Sequence, residues 1–79
     1  NEVKRAELPF EYMLNALRLR EGFTLQHYME RTGLPLSSIA KGLETAERKG
    51  LITRADGRVT PTELGFDFLS DLQELFLAD

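Results

Sequence analysis

A β-hairpin in the second half of the chain constrains the fold more than any other feature of the sequence. Two short runs, residues 51–54 and 58–60, contain β-branched side chains that suit strands. Asp56-Gly57 lies between them, and this dipeptide is a strong short signal for a tight hairpin turn. Helical patterns on both sides of the hairpin then predict a mainly α fold with one small sheet.

Helix-start signals follow the hairpin at once. Thr60 suits a helix cap, Pro61 suits the first helical position, and Glu63 completes a capping box. These residues predict a last helix that runs from Pro61 to about Leu77. Its main inward stripe is predicted to comprise Leu64, Phe68, Leu72 and Leu75.

Two helices are predicted near the start of the chain. The first covers LPFEYMLNALRLREGF, and Gly22 suits the left-handed conformation that ends a helix. Thr24 is predicted to cap a second helix over residues 25–32, which Gly33 ends.

A third helix is predicted after the Leu34-Pro35-Leu36 turn. Ser37 or Ser38 caps it, it runs to Lys49, and its inward residues are Ile39, Leu43 and Ala46. The order predicts one winged-helix-like domain over residues 1–79: a helix-turn-helix, a short two-stranded β-hairpin and a C-terminal helix.

The first helix carries apolar side chains on two opposed sides. One stripe has the spacing of a buried helix face and comprises Phe10, Met13, Leu14 and Leu17. The other comprises Tyr12, Ala16 and Leu19. A surface helix of a monomer needs one stripe, and a 79-residue domain has a small core. The second stripe is therefore predicted to be an interface; the alternative is a set of single exposed apolar residues, which are common.

The winged-helix arrangement raises a DNA-binding transcriptional regulator as the alternative function. The third helix would present Ser37, Lys41, Glu44, Thr45 and Arg48, and the hairpin would add Arg54 and Arg58. Binding to phosphates needs a clustered basic face, whereas acidic residues are interspersed here and the net charge is −3. Nucleic acid is therefore not the expected partner.

The residue inventory limits the chemistry that this chain supplies. It contains no cysteine, which excludes disulfides, thiolate zinc sites and cysteine-ligated clusters built from these residues. The single histidine, His27, is predicted on the outward face of the second helix, which favours a surface residue over a haem or metal ligand. The chain alone is predicted not to be an enzyme, and no apolar run is long enough to span a membrane.

Gly42 is unusual because it falls inside the predicted third helix. Glycine at such a position costs about 1 kcal/mol relative to alanine. Ser38, Gly42 and Thr45 form a stripe of small residues. Either another part of this domain or an external partner approaches closely there, and the internal approach is favoured.

Four segments of the chain occur in a characteristic order: PFEYMLNALRLREGF, ERTGL, ETAERKGLI and VTPTELGFDFLSDLQELFLAD. Together they resemble the C-terminal domain of the oxygen-independent coproporphyrinogen III oxidase family (HemN/HemW). The closing segment is most similar to the shorter, HemW-type members of the family, which are regarded as haem chaperones.

The resemblance implies a cytoplasmic parent protein with an N-terminal radical S-adenosylmethionine barrel, in which a CxxxCxxC motif holds a [4Fe–4S] cluster. This chain would be an accessory module packed beside the barrel of the same polypeptide. The cluster, S-adenosylmethionine and haem would be cofactors of the parent, and none of their ligands carries over to this chain. Whether the parent oxidises coproporphyrinogen III or carries haem stays open.

The candidate interface comprises Tyr12, Asn15, Arg18 and Leu19. In the setting that the resemblance implies, Asn15 and Arg18 are candidates for contacts to the barrel or its ligand. Guanidinium groups bind carboxylates, and porphyrin side chains end in carboxylates. The alternative for Arg18 is a surface ion pair with Glu11 or Glu21.

Overall fold

Helices and strands follow the predicted order, with one added strand, in the computed structural model, which describes residues 7–77. The elements are α1 (Leu8–Ala16), β1 (Phe23–Thr24), α2 (Leu25–Thr32), a 3₁₀ turn (Leu36–Ser38), α3 (Ala40–Arg48), β2 (Ile52–Ala55), β3 (Arg58–Pro61), α4 (Glu63–Asp67) and α5 (Leu69–Glu74). The predicted fold class, mainly α and winged-helix-like with a short hairpin, is confirmed.

The sheet is antiparallel and has the order β1-β3-β2. The predicted hairpin is confirmed, because Asp56 and Gly57 both have positive φ, as a type I′ turn requires. β1 was not predicted, since two residues are too few to show a strand period. Phe23 of β1 lies opposite Val59 of β3.

The first helix ends earlier than predicted. α1 stops at Ala16, and the chain then turns until Gly22 leads into β1. A Cβ at Gly22 would collide with the carbonyl oxygen of Val59, so this position needs glycine for close approach to β3. Gly22 has the left-handed conformation predicted for it, with φ 67°, but it stands directly before β1 and against β3, not at the end of α1.

The second helix has the predicted bounds. The Thr24 hydroxyl accepts a hydrogen bond from the backbone N–H of His27, and Gly33 ends α2 in the left-handed conformation. Both signals act within four residues of the chain, which is why they can be recognised in the sequence.

The start of the third helix differs from the prediction. A 3₁₀ turn precedes α3, and neither Ser37 nor Ser38 caps it. The Ser38 hydroxyl instead lies 2.7 Å from the Tyr28 hydroxyl and donates to the carbonyl oxygen of Pro35. The inward face of the helix was predicted correctly, because its three residues are all buried: Ile39, Leu43 and Ala46.

The last helix is broken in two. Thr60 and Pro61 pair in β3, so the predicted Thr60 cap is wrong, and Thr62 caps α4 by accepting from the backbone N–H of Gly65. Phe68 then leaves the helical conformation, with φ −119° and ψ 44°, and separates α4 from α5.

The break changes which side chains of this region are buried. Leu64 and Phe68 were predicted inward but are 43% and 51% exposed. Leu72 and Phe76 of the following segment are buried. One continuous 3.6-residue period does not hold across Phe68, so the predicted inward stripe is correct at Leu72, while Leu75 is half-buried against the core.

The core lies between the three-stranded sheet and helices α1, α2, α3 and α5. Its largest fully buried side chains are Tyr28, Met13, Leu17, Ile39, Ile52, Leu72 and Val59. Gln73 joins α5 to α1, because its Nε2 donates to the carbonyl oxygens of Met13 and Leu14 at 3.3 Å each. Both carbonyls lie in the last turn of α1, and that of Met13 also accepts from the backbone N–H of Leu17 at 3.3 Å.

Gly42 lies where α3 meets the end of the chain. A Cβ there would stand 2.7 Å from the ring of Phe76 and 3.1 Å from the carbonyl oxygen of Leu75. The close approach is therefore internal to the domain, as favoured above.

Candidate functional site: an open groove beside helix α1

An open groove of about 720 Å³ lies between α1, α2 and the sheet. This volume is within the range of small-molecule pockets. The groove is lined by Leu8, Glu11, Tyr12, Asn15, Ala16, Leu19, Glu21, Gly22, Phe23, Thr24, His27, Arg31, Thr32 and Arg58. No residue of α3, the predicted DNA-recognition helix, is among these lining residues.

Aromatic rings form the apolar wall of the groove. Tyr12 contacts Phe23 edge-on, with ring centroids 5.3 Å apart, and Tyr28 in the same manner at 5.0 Å. Edge-to-face contacts are the favourable arrangement for such rings. They fix the half-buried Tyr12 ring on the α1 side of the groove.

A hydrogen bond joins the two helices across the groove. The hydroxyl oxygen of Tyr12 lies 2.6 Å from Nδ1 of His27. His27 is exposed, as predicted, yet it lines the groove and is tied to α1. The pair is separated by 15 positions in the chain, so no sequence pattern indicated it.

The environment of Tyr12 extends the range over which its hydroxyl stays protonated to higher pH. Partial burial raises the pKa of Tyr12 above its usual value of about 10; Arg31 opposes this shift, and Tyr28 adds to it. The groove therefore presents a neutral hydroxyl that donates or accepts hydrogen bonds.

Charged side chains of both signs stand around the groove. Nη1 of Arg58 donates to the carbonyl oxygen of Glu21 at 2.7 Å and holds the turn after α1 against β3. Arg31 also lines the groove. Arg58 was predicted only as a residue of the hairpin, and Arg31 was not predicted as a site residue. Neither arginine could be assigned to the groove from the sequence, because the groove forms only where α1, α2 and β3 pack together.

The structure brings three of the four candidate interface residues into this groove. Tyr12, Asn15 and Leu19 line it, whereas Arg18 is exposed outside it. Within residues 7–77, Arg18 forms no ion pair with Glu11 or Glu21, and the ion pair found there joins Arg54 to Glu47 at 3.2 Å.

The two apolar stripes of the first helix are only partly as predicted. Leu19 is 51% exposed, but Ala16 of the same stripe is buried. In the other stripe Met13 and Leu17 are buried, whereas Phe10 and Leu14 are half-buried. The reason is that α1 ends at Ala16, so Leu19 leaves the helical arrangement that placed it beside Ala16.

Potential metal ligands are dispersed in the described part of the chain. Residues 7–77 contain no group of three or more histidine or acidic side chains that could hold a metal ion. Over the same residues, no helix has both the length and the apolar character needed to cross a bilayer.

These features define a winged-helix-like domain with a groove beside α1 and α2, and no residue of α3 lines that groove. The chain belongs to the HemN C-terminal domain family, whose family model matches residues 3–68. The resemblance identified in the sequence is thereby confirmed.

Three curated relatives are named heme chaperone HemW. The chain is 35% identical over 78 residues to heme chaperone HemW of Escherichia coli strain K12 and 32% identical over 77 residues to that of Haemophilus influenzae. It is 30% identical over 76 residues to heme chaperone HemW of Buchnera aphidicola.

The matches cover 96–99% of this chain but only 20–21% of each relative. The chain thus spans about a fifth of the length of the curated relatives it matches. No solved structure matches it significantly. The family membership favours an accessory domain over the alternative of a DNA-binding regulator.

Proposed function

We propose that this chain is the accessory C-terminal domain of a haem-handling protein and docks on the N-terminal radical S-adenosylmethionine barrel of the same polypeptide. The docking surface is the groove beside α1, with Tyr12, Asn15 and Leu19 in it and Arg18 next to it. The exposed side chain of Leu19 at the groove is the observation that carries the proposal.

The relatives support this partner. They are named heme chaperones, and about four-fifths of their length lies outside the matched region. A domain that forms a fifth of such a protein needs a surface by which it contacts the remainder. The groove combines apolar area with hydroxyl, amide and guanidinium groups, which is the mixed composition of interfaces between domains.

The energetic gain at Leu19 is modest but sufficient for an intramolecular contact. Burying a whole leucine side chain contributes about 1.5–3 kcal/mol, so the exposed half of Leu19 contributes about 1 kcal/mol. Docking within one polypeptide also benefits from a high effective concentration.

The residues of this chain do not fit the role of cofactor ligands. A [4Fe–4S] cluster of this type needs thiolates, and the 79 residues contain no cysteine. We assign the cluster, S-adenosylmethionine and haem to the parent and propose a cytoplasmic location for it, because the family resemblance implies them. This chain would cover part of the barrel and would perform no chemical step.

Hydroxyl-radical footprinting tests the docking surface. We expect Tyr12 and Leu19 to be oxidised more slowly in the full-length parent than in the 79-residue chain. Leu77 is the matched control, because it is 52% exposed, as Leu19 is 51% exposed, and lies outside the groove. Equal oxidation of Leu19 in both proteins would overturn the proposal.

A further inference from the structure

A second apolar surface lies on α4 and outside the groove. It consists of Leu64 and Phe68, which we call the α4 face; they are 43% and 51% exposed. The backbone N–H of Phe68 donates to the carbonyl oxygen of Leu64, so the two residues are one helical turn apart. Neither lines the groove.

The charge around the α4 face has one dominant sign. Residues 59–79 contain no lysine or arginine. Glu63 and Asp67, which directly precede Leu64 and Phe68 in the chain, are exposed, and so is Asp71, three residues after Phe68. Within residues 7–77 none of these three carboxylates forms an ion pair.

Two cationic residues from other elements lie nearby. Arg20 stands 5.5 Å from the ring centroid of Phe66 and therefore covers a different side of α4. Lys49 precedes Gly50, which borders Leu64. Neither of these cations forms an ion pair with a carboxylate of α4 within the described part of the chain.

We propose that the α4 face binds a cationic amphipathic segment of a partner protein. Apolar side chains of that segment cover Leu64 and Phe68, and its lysines or arginines approach Glu63, Asp67 and Asp71. Charge complementarity of this kind adds specificity and speeds association. The inference is independent of the proposed docking groove, because the two surfaces share no residue.

A second copy of this chain is a poorer occupant of the same surface. Pairing two α4 faces would bring acidic residues of both copies together, and juxtaposed like charges oppose association. Charge complementarity thus selects a basic partner over self-association.

The test uses the 79-residue chain and a synthetic amphipathic helix with leucine on one face and lysine on the other. Fluorescence anisotropy of the labelled peptide should show saturable binding that weakens as salt is added. A peptide with glutamate in place of lysine should bind at least about tenfold more weakly. Phe68→Ser should weaken binding by about tenfold, whereas Leu19→Ser in the groove should leave it unchanged.

A matched pair of variants separates local from overall charge. Asp67→Lys with Asp71→Lys changes the net charge by as much as Glu30→Lys with Glu44→Lys, and all four positions are exposed. We expect only the first pair to weaken binding by more than about tenfold. Equal weakening by both pairs would show that net charge alone attracts the peptide and would overturn the proposal. Unchanged peptide binding by the Phe68→Ser variant would also overturn the proposal. A dimer of the unmodified chain that dissociates when Phe68→Ser is introduced would overturn it as well.

Discussion

Tyr12 connects the apolar wall of the groove to its polar rim. Its ring packs edge-on against Phe23 and Tyr28, while its hydroxyl is hydrogen-bonded to His27. Truncation to phenylalanine would keep the ring contacts and remove the hydrogen bond. The Tyr12→Phe variant therefore separates the contribution of the hydrogen bond from that of the ring contacts.

The raised pKa of Tyr12 predicts a loss of stability in strongly alkaline solution. The folded chain holds this proton more tightly than the unfolded chain, mainly because of burial. The contribution is therefore fully present below about pH 10 and is lost as the pH rises through the folded-state pKa. Urea midpoints on both sides of that pH should fall less in Tyr12→Phe than in the unmodified chain. Parallel loss in both chains would contradict the assignment.

We also predict that His27 is not a defined haem ligand. It is a single exposed histidine, and Nδ1 is already engaged with Tyr12. When Tyr12 donates that hydrogen bond, the neutral imidazole carries its proton on the other nitrogen, which then has no free lone pair. Haem should bind the chain weakly, with the same absorbance titration in His27→Ala. Tight binding that His27→Ala abolishes would contradict this prediction.

At the scale of elements, the end of α1 separates buried from exposed leucines. Leu17 is fully buried and lies directly after the last residue of the helix, whereas Leu19 projects at the groove. Leu17 thus belongs to the core, whereas Leu19, two residues further along the turn, lies at the surface.

Denaturant unfolding should distinguish these two leucines. Leu17→Ala should lower the free energy of unfolding by about 2–5 kcal/mol, as core truncations do. Leu19→Ser should lower it by less than about 1 kcal/mol, because the side chain is half exposed. If both substitutions shift the urea midpoint equally, Leu19 belongs to the core and the docking argument fails.

The contact of α3 with the end of the chain depends on Gly42. Alanine there would favour the helix by about 1 kcal/mol but would press its Cβ against the Phe76 ring. Because Phe76 is buried, we expect overpacking to prevail, with a net loss of about 1–3 kcal/mol in denaturant unfolding.

A double variant provides the control for Gly42. Phe76→Leu removes the ring atoms that the new Cβ would meet, so Gly42→Ala should cost less in that background. An equal cost in both backgrounds would assign the effect to something other than this contact.

At the scale of the whole molecule, the distribution of charge argues against DNA binding. Lys41 and Arg48 share α3 with Glu44 and Glu47, and the net charge of the chain is −3. In the hairpin, Arg54 is paired with Glu47. These contacts leave no continuous basic surface on the recognition-helix side of residues 7–77.

We therefore predict no micromolar binding to random duplex DNA near physiological salt, measured by fluorescence anisotropy. A chain carrying Glu44→Lys and Glu47→Lys is the positive control, because its α3 would become uniformly basic. Salt-sensitive micromolar binding by the unmodified chain would restore the regulator alternative.

Local chemistry in the sequence determined much of this fold. The bounds of α2 follow from Thr24 and Gly33, and the hairpin follows from Asp56-Gly57. Caps and tight turns depend on φ angles and hydrogen bonds within a few residues, so they can be predicted from the sequence without any tertiary information. The buried face of α3 could also be predicted, from the helical period of its apolar residues.

Three features could be determined only from the tertiary structure: the groove, the added strand β1, and the break between α4 and α5 at Phe68. The Tyr12–His27 hydrogen bond spans 15 positions, the Arg58–Glu21 contact 37, and the Gln73–Met13 contact 60. Periodicity describes one segment at a time and carries no information on such distant partners. Leu19 was predicted on the exposed stripe and is exposed, although the helix on which that prediction was drawn ends at Ala16. Phe68 was predicted inward but is exposed, because the chain leaves helical geometry at this residue and a helical pattern continued through it assigns the wrong face.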